Sequence, residues 1–351
     1  MYREHTVGVV VPAHNEEGFV GDVIREMPSY VDRVYVIDDC SADGTWPEII
    51  HAAESDAAAL APDVAINHKE LRADGGWSLS GRASVETPIG RTVPIRHDTN
   101  RGAGGAIKTG YLAALDDDLD VTVTVDGDGQ MDLSQMSKLL DPIVEDKADY
   151  AKGNRLLYKD YREAMPTWRF FGNSILTFLT KIASGYWKTM DPQNGYTAIS
   201  RYALDNVGID EMYEYYGYCN DLLVRLNAKG MRVADVAMPA LYGEEASGIR
   251  YSTYIRRVSG MLLRNFLWRL KVKYLVLDFH PLALFYYVGA ATAAFGLGGG
   301  IWSIYKWIAL DDSVFVGFSL SLLIFSIGSM FLMFAMLFDM QVNETKEIQI
   351  S

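Results

Sequence analysis

The chain has 351 residues, of which 49% are hydrophobic, and a formal net charge of −13 at pH 7. It is longer than an average single domain, and its apolar content can fill a sizeable core with residues left over. The acidic balance speaks against a nucleic-acid partner. Cys40 and Cys219 lie far apart without metal-ligand spacing, which speaks against a disulfide framework and fits a reducing compartment.

Strand and helix patterns alternate along the N-terminal part of the chain, which is typical of an α/β domain with a largely parallel sheet. We predict strands at Val7–Ala13, Val34–Asp39, Thr92–His97 and 121–126, with a helix from about Glu16 to Met27 after the first. Ligands of such sheets bind beyond the carboxyl ends of the strands. The polar motifs HNEE, DDCSADGT, NRGAGGAIKTG and DGDGQ follow these ends, so they predict a single site.

The segment from His68 to His97 is too long for a routine connection between two strands. It is compatible with a small hairpin that turns at Pro88–Gly90 and also with a lid, and the sequence leaves both open.

The glycine-rich motif NRGAGGAIKTG matches neither common nucleotide-binding loop. Ile107 precedes Lys108 where a phosphate loop requires Gly-Lys-Ser/Thr, and Gly102-x-Gly104 lacks the third glycine of a dinucleotide fingerprint. This motif therefore carries no nucleotide assignment of its own.

The motif DGDGQMD does not match a calcium loop, because Met131 occupies the position that requires glycine. What remains is a pair of carboxylates, Asp126 and Asp128, at positions i and i+2, which project to the same side of an extended chain. Such a pair can hold a hard divalent cation between the protein and a diphosphate.

Two uncharged stretches, Leu282–Tyr305 and Ser313–Phe338, are 24 and 26 residues long, and a helix of roughly 20 apolar residues crosses a bilayer. Seven basic residues and no acid lie between Ala246 and Leu277, and this basic belt predicts the cytoplasmic face. The first span then runs outward and the second returns, so both termini are expected in the cytosol of a multi-pass protein of the cell membrane. The N-terminus has no signal-peptide pattern.

The expected organisation has four parts: a cytoplasmic domain at 1–245, basic interfacial helices at 246–280, a two-helix transmembrane hairpin at 281–340 and a cytoplasmic tail at 341–351.

A second interfacial helix is predicted at Phe170–Trp187, where Phe171, Ile175, Leu179 and Ile182 share one apolar stripe. A core helix of the soluble domain is the alternative, and the sequence leaves it open.

The motifs VVVPAHNEE, VIDDCSADGT, NRGAGGAIKTGY, TVDGDGQ, KGNR and DPQNGYTAISR, followed by paired C-terminal spans, resemble an inverting family-2 glycosyltransferase with the GT-A fold. The similarity is to the polyprenyl-phosphate branch, such as dolichyl-phosphate mannose or glucose synthases. The resemblance implies a Rossmann-like mixed sheet and transfer of one sugar from UDP-glucose, UDP-N-acetylglucosamine or GDP-mannose to dolichyl or polyprenyl phosphate, for glycan or protein glycosylation in an archaeal pathway.

The resemblance also implies roles on the donor side. Pro12, His14, Asn15 and Glu16 would line the nucleotide pocket, and Asp39 with Asp38 would contact base or ribose; a turn or helix cap is the alternative for these two acids. Asp126, Asp128 and Gln130 match the metal-binding motif, with Mg²⁺ or Mn²⁺ as cofactor.

On the acceptor side the resemblance implies that Arg155 and Arg169 hold the lipid phosphate, with Asn173 a weaker candidate. A phosphate monoester has a second pKa of about 6, so such an acceptor is mostly dianionic and requires cations more than a general base. Asp191 matches an acid near the sugar and acceptor, and an Asp-Pro turn is its alternative. Asp221 lies where other branches place a general base, and its role is left unassigned.

Two other functions are alternatives. A processive polysaccharide synthase usually has a QxxRW motif before its spans, and this string is absent. A non-catalytic sugar-nucleotide-binding membrane protein would be expected to lose the metal aspartates, which are present. A homo-oligomer formed through the transmembrane helices is a further predicted partner, beside the bilayer itself.

Overall fold

The computed structural model describes residues 1–60, 79, 81–156, 167–239, 251–311 and 313–350, with only the helical backbone at 167–173 and 251–255. Within these ranges nine strands form one sheet: β1 (Val7–Ala13), β2 (Arg33–Asp38), β3 (Ser84–Val85), β4 (Thr92–Arg96), β5 (Val121–Thr124), β6 (Tyr150–Asn154), β7 (Thr197–Ser200), β8 (Val233–Ala237) and β9 (Glu347–Ile350). The described α-helices are α1 (Val20–Arg25), α2 (Thr45–Ala59), α3 (Ala103–Asp116), α4 (Met136–Val144), α5 (Thr167–Ser184), α6 (Arg201–Asn206), α7 (Tyr218–Ala228), α8 (Tyr251–Lys271), α9 (Leu282–Leu310) and α10 (Phe315–Asn343).

The sheet is mixed, in the order β3-β4-β2-β1-β5-β7-β6-β8-β9. β1 is the fourth strand in this order and pairs in parallel with β2 and with the central strand β5, while β7 runs antiparallel to both of its neighbours, β5 and β6. The α/β class and the Rossmann-like mixed sheet are thus confirmed.

Alternating side chains of the central strands fill two hydrophobic layers, one on each face of the sheet. Val10 and Tyr35 pack on the face covered by α3 and α7, whereas Val9 and Val34 pack on the face covered by α1, α2 and α4. Because both faces are buried, the strands are apolar nearly throughout, as parallel strands between helices usually are.

The predicted helix at about Glu16 to Met27 is shorter than expected, since α1 begins at Val20. The residues before α1 form a turn in which the Phe19 and Val20 N–H groups donate to the Glu16 carbonyl at 3.1 and 3.2 Å. Glu48 reinforces this turn by accepting hydrogen bonds from the backbone N–H groups of Gly18 at 2.6 Å and Gly21 at 2.9 Å.

The predicted hairpin in the long segment is confirmed for its described part. β3 pairs antiparallel with β4, and the chain turns at Gly90, whose φ is 59°. Arg82, just before β3, donates to the Thr109 hydroxyl at 2.7 Å and to Glu214 at 2.9 Å. Residues 68–78 and 80 of this segment, for which a lid was the alternative, lie outside the described residues.

Helix α5 packs on the soluble domain and also exposes apolar side chains. Leu176 and Ala183 are buried against α7 and α8, whereas Ile175 and Phe178 are 40% and 53% exposed. The helix therefore combines the core packing and the apolar surface that were alternatives for it. Phe171 lies where side chains are not described.

In the part of the chain that the structure describes, α9 and α10 are the two helices long and apolar enough to span a membrane. They pack so closely that a Cβ on Gly296 would lie 2.4 Å from the Phe325 nitrogen, and one on Gly328 2.3 Å from the Ala293 nitrogen. Their outer surfaces are exposed and apolar, including Phe295, Ile301 and Phe315. Such surfaces fit lipid contact better than a soluble core.

The C-terminal segment beyond α10 is part of the sheet. The stretch expected as a tail contains β9, which pairs in parallel with β8 from Glu347 opposite Val233 to Ile350 opposite Val236. The chain thus returns to the sheet after the helical hairpin.

Candidate active site

The two aspartates after β5 are separated by glycine because the chain passes close to β1 there. The Gly127 N–H donates to the Pro12 carbonyl at 3.2 Å, and a Cβ on Gly127 would lie 2.9 Å from that oxygen. The chain then turns at Gly129, whose φ is 70°, and Asp128 accepts a hydrogen bond from the Gln130 N–H at 2.9 Å. This turn keeps both acids beside β1 at the edge of the sheet.

Asp126, Asp128 and Gln130 line a cavity of about 70 Å³ at this edge. Its wall is completed by Met131, Asp132, Gln135, Arg155, Asn194, Tyr196, Met238 and Pro239. The cavity thus has acids on one wall and an arginine on another.

The positive charge near the Asp126 and Asp128 carboxylates is too small to balance their negative charge. Burial and the neighbouring Asp128 raise the pKa of Asp126 to about 7, and Arg155 offsets only part of this rise. Burial also raises the pKa of Asp128, against hydrogen bonds from the backbone. A divalent cation at this position would relieve the repulsion between the two acids.

Oxygen ligands of this kind fit Mg²⁺ or Mn²⁺. Among the described residues, no three His, Cys, Asp or Glu side chains are grouped as a complete metal cage. A pair of carboxylates that leaves the remaining ligand positions to substrate phosphates and water is the arrangement in which Mg²⁺ is usually bound. Asp126, Asp128 and Gln130 therefore suit the predicted cofactor.

Arg155 and Asp191, which were predicted to act separately, form one ion pair. The Arg155 Nε and Nη2 atoms donate to the two Asp191 oxygens at 2.7 and 3.0 Å, and the Arg155 backbone N–H donates at 3.2 Å. Burial alone would raise the pKa of Asp191, but the charge and hydrogen bonds of Arg155 hold it below its ordinary value. Asp191 also opens a turn, in which its carbonyl accepts a hydrogen bond from the Asn194 N–H at 3.1 Å, and its φ is 47°. The turn alternative thus describes it, and a role near the sugar and acceptor stays a prediction.

A second ion pair, between the buried residues Lys152 and Asp235, lies next to Arg155 and Asp191 and was not predicted from the sequence. Lys152 on β6 donates to Asp235 on β8 at 2.8 Å, and Asn154 donates to the other Asp235 oxygen at 2.5 Å. Charged residues in the middle of otherwise apolar strands, AKGN and VADVA, were the available signal.

Asp38 and Asp39 are buried and engaged by protein donors. Asp39 accepts hydrogen bonds from His97 at 2.7 Å and from the backbone N–H groups of Arg101 and Gly102 at 2.8 Å, just before α3. These bonds overcome the effect of burial and lower the pKa of Asp39. Asp38 accepts from the Ser41 N–H at 3.0 Å. The turn alternative thus describes Asp38, whereas Asp39 holds the loop that precedes α3 without capping that helix. A contact of either acid with base or ribose stays a prediction.

The nucleotide-pocket candidates lie along the same edge of the sheet. His14 contacts the Asp39 carbonyl at 2.9 Å, and Asn15 accepts a hydrogen bond from the Ala42 N–H at 2.9 Å. Glu16 is near enough to the metal-site acids that it and Asp126 both act, after burial, to raise the pKa of Tyr216.

Three candidates on the acceptor side remain: Arg169, Asn173 and Asp221. The side chains of Arg169 and Asn173 lie outside the described residues. Asp221 is buried between α7 and α8, where it accepts hydrogen bonds from Arg225 at 2.9 Å and Asn265 at 2.5 Å. Its contacts join the two helices.

Comparisons with known proteins show similarity to glycosyltransferases. Residues 87–208 match the sequence model described as Glycosyl transferase family 2. The chain is 26% identical to a UDP-N-acetylglucosamine–dolichyl-phosphate N-acetylglucosaminyltransferase of Methanococcus voltae over 67% of this chain and 86% of that protein. It is 25% identical to the glycosyltransferase AglJ of Haloferax volcanii over 97% and 95% of the two chains.

Among solved structures, glucosyl-3-phosphoglycerate synthase from Mycobacterium tuberculosis overlaps 76% of this chain and 80% of its own, with 18% identity and a TM-score of 0.46. The match at residues 87–208, the named relatives and the mixed sheet together indicate that the chain is a glycosyltransferase with an α/β fold of the GT-A type.

Proposed function

We propose that this protein transfers a single sugar, with inversion, from a nucleotide-diphospho-sugar to dolichyl or polyprenyl phosphate at the cytoplasmic face of the membrane. One observation carries the proposal: a cavity that combines a metal-type acidic pair with an arginine belongs to a domain joined directly to two membrane-type helices. The name of the Methanococcus voltae relative, which specifies UDP-N-acetylglucosamine and dolichyl phosphate, supports the same substrates here.

On the donor side, Asp126, Asp128 and Gln130 would hold Mg²⁺ or Mn²⁺ against the diphosphate. The bound cation would neutralise the charge that develops on the leaving β-phosphate. The protein contributes geometry: the Gly127 contact with β1 holds both carboxylates at the cavity wall before the donor arrives.

On the acceptor side, an oxygen of the lipid phosphate bonds to the anomeric carbon while the bond from that carbon to the β-phosphate oxygen breaks. Attack from the opposite face inverts the configuration, and the nucleoside diphosphate leaves. The acceptor is already ionised, so no proton has to be removed. Asp191 orients the guanidinium of Arg155, which lines the cavity and can attract the phosphate.

Three surfaces support the membrane placement. Apolar α9 and α10 would span the bilayer. The exposed residues of the basic belt, Arg256, Arg257, Arg264 and Lys271, would face anionic headgroups, whereas Arg269 of the same belt is buried against Asp339. Exposed Ile175 and Phe178 on α5 and Leu263 on α8 add apolar surface near the same region. Because β9 rejoins the sheet, the hairpin must enter and leave on the side of the catalytic domain.

The test is a donor panel with purified protein, Mg²⁺ and dolichyl phosphate, with labelled UDP-N-acetylglucosamine first, then UDP-glucose and GDP-mannose. We expect a chloroform-soluble, mild-acid-labile product that is lost in Asp128→Ala and retained in the surface control Asp205→Asn. A long water-soluble polymer would instead indicate a processive synthase. Binding of donors without turnover of any would indicate a non-catalytic protein, and full activity of Asp128→Ala would refute the metal role.

A further inference from the structure

The segment 187–191, which ends at the acid that orients Arg155, is held by the C-terminal strand. Glu347 opens β9 and is 7% exposed. Its carboxylate accepts hydrogen bonds from three consecutive backbone N–H groups, those of Trp187 at 2.7 Å, Lys188 at 2.7 Å and Thr189 at 2.8 Å, and from the Thr189 hydroxyl at 3.1 Å. Hydrogen bonds to an ionised acceptor are stronger than neutral ones.

The next two residues continue from this contact to the cavity. The Met190 N–H donates to Asp235 at 3.2 Å, and the Met190 carbonyl accepts from Lys152. Asp191 then binds Arg155 in the fork described above. Every residue from 187 to 191 is thus tied to another part of the protein, and the contacts run without a gap from Glu347 to the arginine of the cavity.

The position of Glu347 is in turn set by the end of the helical hairpin. Asp339 near the end of α10 pairs with the fully buried Arg269 of α8 at 2.7 Å. Asn343, one turn later, accepts hydrogen bonds from Lys273 at 2.7 Å and from Asn227 of α7 at 2.9 Å. Only three residues separate Asn343 from Glu347. The packing of the end of α10 against α7 and α8 therefore determines where the Glu347 carboxylate lies.

The conformation of Asp191 requires such support. A residue other than glycine with a φ of 47° lies in a sparsely populated region of conformational space that persists only where its surroundings impose it. Without Glu347 the segment would keep the hydrogen bonds that Lys181 donates to the Trp187 carbonyl at 2.6 Å and Gln349 donates to the Lys188 carbonyl at 3.2 Å. Its three backbone N–H groups would lose their shared acceptor, and the guanidinium that Asp191 directs would lose part of its support.

We propose that Glu347 is a positioning residue of the active site: its grip on residues 187–189 keeps Asp191, and through it Arg155, in place to receive the acceptor phosphate. The end of the membrane hairpin thereby completes the acceptor side of the cavity. This inference rests on the proposed function, because the acceptor assigned to Arg155 comes from it.

The test compares Glu347→Gln with Glu344→Gln in the full-length protein in micelles. Glu344 forms an exposed ion pair with Lys188 at 3.3 Å, so it joins the same two segments without holding backbone N–H groups. Hydrogen exchange of the peptide spanning residues 186–191 reports on the grip itself, and initial rates against dolichyl phosphate and nucleotide sugar report on the two substrates.

For Glu347→Gln we expect faster exchange in that peptide and a fall of about tenfold or more in kcat/KM for dolichyl phosphate, as a neutral amide replaces a charge-assisted acceptor. The KM for nucleotide sugar and exchange in β1 and β5 should not change, and Glu344→Gln should behave as the unaltered protein. Should Glu347→Gln not accumulate, Glu347→Asp, which keeps the charge but shortens the reach, is measured in the same two ways.

Faster exchange with unaltered acceptor kinetics would overturn the proposal, and so would equal losses for donor and acceptor, which would mark Glu347 as a general stabiliser. If Glu347→Gln leaves hydrogen exchange in the peptide 186–191 unchanged, Glu347 does not hold this segment. If the unaltered protein transfers no sugar from any donor, the proposed function fails, while the exchange result still decides whether Glu347 holds the segment.

Discussion

Replacing Asp191 by asparagine should weaken acceptor use sharply while leaving the backbone in place. Asparagine tolerates the left-handed conformation of this residue, so the change removes charge with little added strain. Asp191 is fully buried, and its side chain receives three hydrogen bonds from Arg155. Breaking a buried ion pair costs about 3 to 5 kcal/mol; because Arg155 is 28% exposed, we expect the lower end, about 3 kcal/mol, in the free energy of unfolding.

The assay is a double-mutant cycle with Arg155→Lys, which keeps the charge but loses the planar fork. If the two residues act as one unit, the losses in kcat/KM for dolichyl phosphate will not add, and a coupling energy of about 1 to 3 kcal/mol is expected. The exposed pair Arg201 and Asp118 is the matched control, and its coupling should be below about 1 kcal/mol. Additive losses at Arg155 and Asp191 would refute the shared role.

Four further results are expected. Gly127→Ala should destabilise the protein by about 1 to 3 kcal/mol and weaken Mn²⁺ binding, because the new Cβ would meet the Pro12 carbonyl at 2.9 Å; unaltered thermal unfolding would contradict this contact. The pKa of Asp126 is raised to about 7, so below that pH a cation must displace a proton from this carboxyl. The Kd for Mn²⁺, measured by calorimetry, should therefore increase by up to about tenfold for each unit by which the pH is lowered. Without a cation, the contribution of Asp126 to folding stability is fully present below the ordinary carboxyl pKa and is lost as pH rises through about 7, because its folded-state pKa is raised; the same pH dependence of unfolding in the unaltered protein and in Asp126→Asn would count against it. Asp339→Asn should cost about 3 to 5 kcal/mol because it leaves Arg269 buried without a charged partner, and a loss below 1 kcal/mol in micelles would show that the pair is dispensable.

Local patterns were sufficient for the parts of the fold that depend on neighbouring residues. Alternating or continuous apolar runs predicted β1, β2, β4 and β5, and the long uncharged stretches predicted α9 and α10. Burial and membrane insertion both require apolar side chains at consecutive or regularly spaced positions, so a local pattern is enough to recognise them. The spacing of Asp126 and Asp128 likewise placed two acids together without any knowledge of the fold.

The contacts that organise the site depend on residues far apart in the chain. Arg155 and Asp191 are 36 positions apart, Lys152 and Asp235 83, and Trp187 and Glu347 160. The sequence specified that a mixed sheet would carry acids at its edge and two apolar helices at its end. Only the tertiary structure decided that the last strand returns to that sheet and that a guanidinium is shared with a buried acid. Such pairings arise when strand order brings distant segments within hydrogen-bonding distance, and no local periodicity records that order.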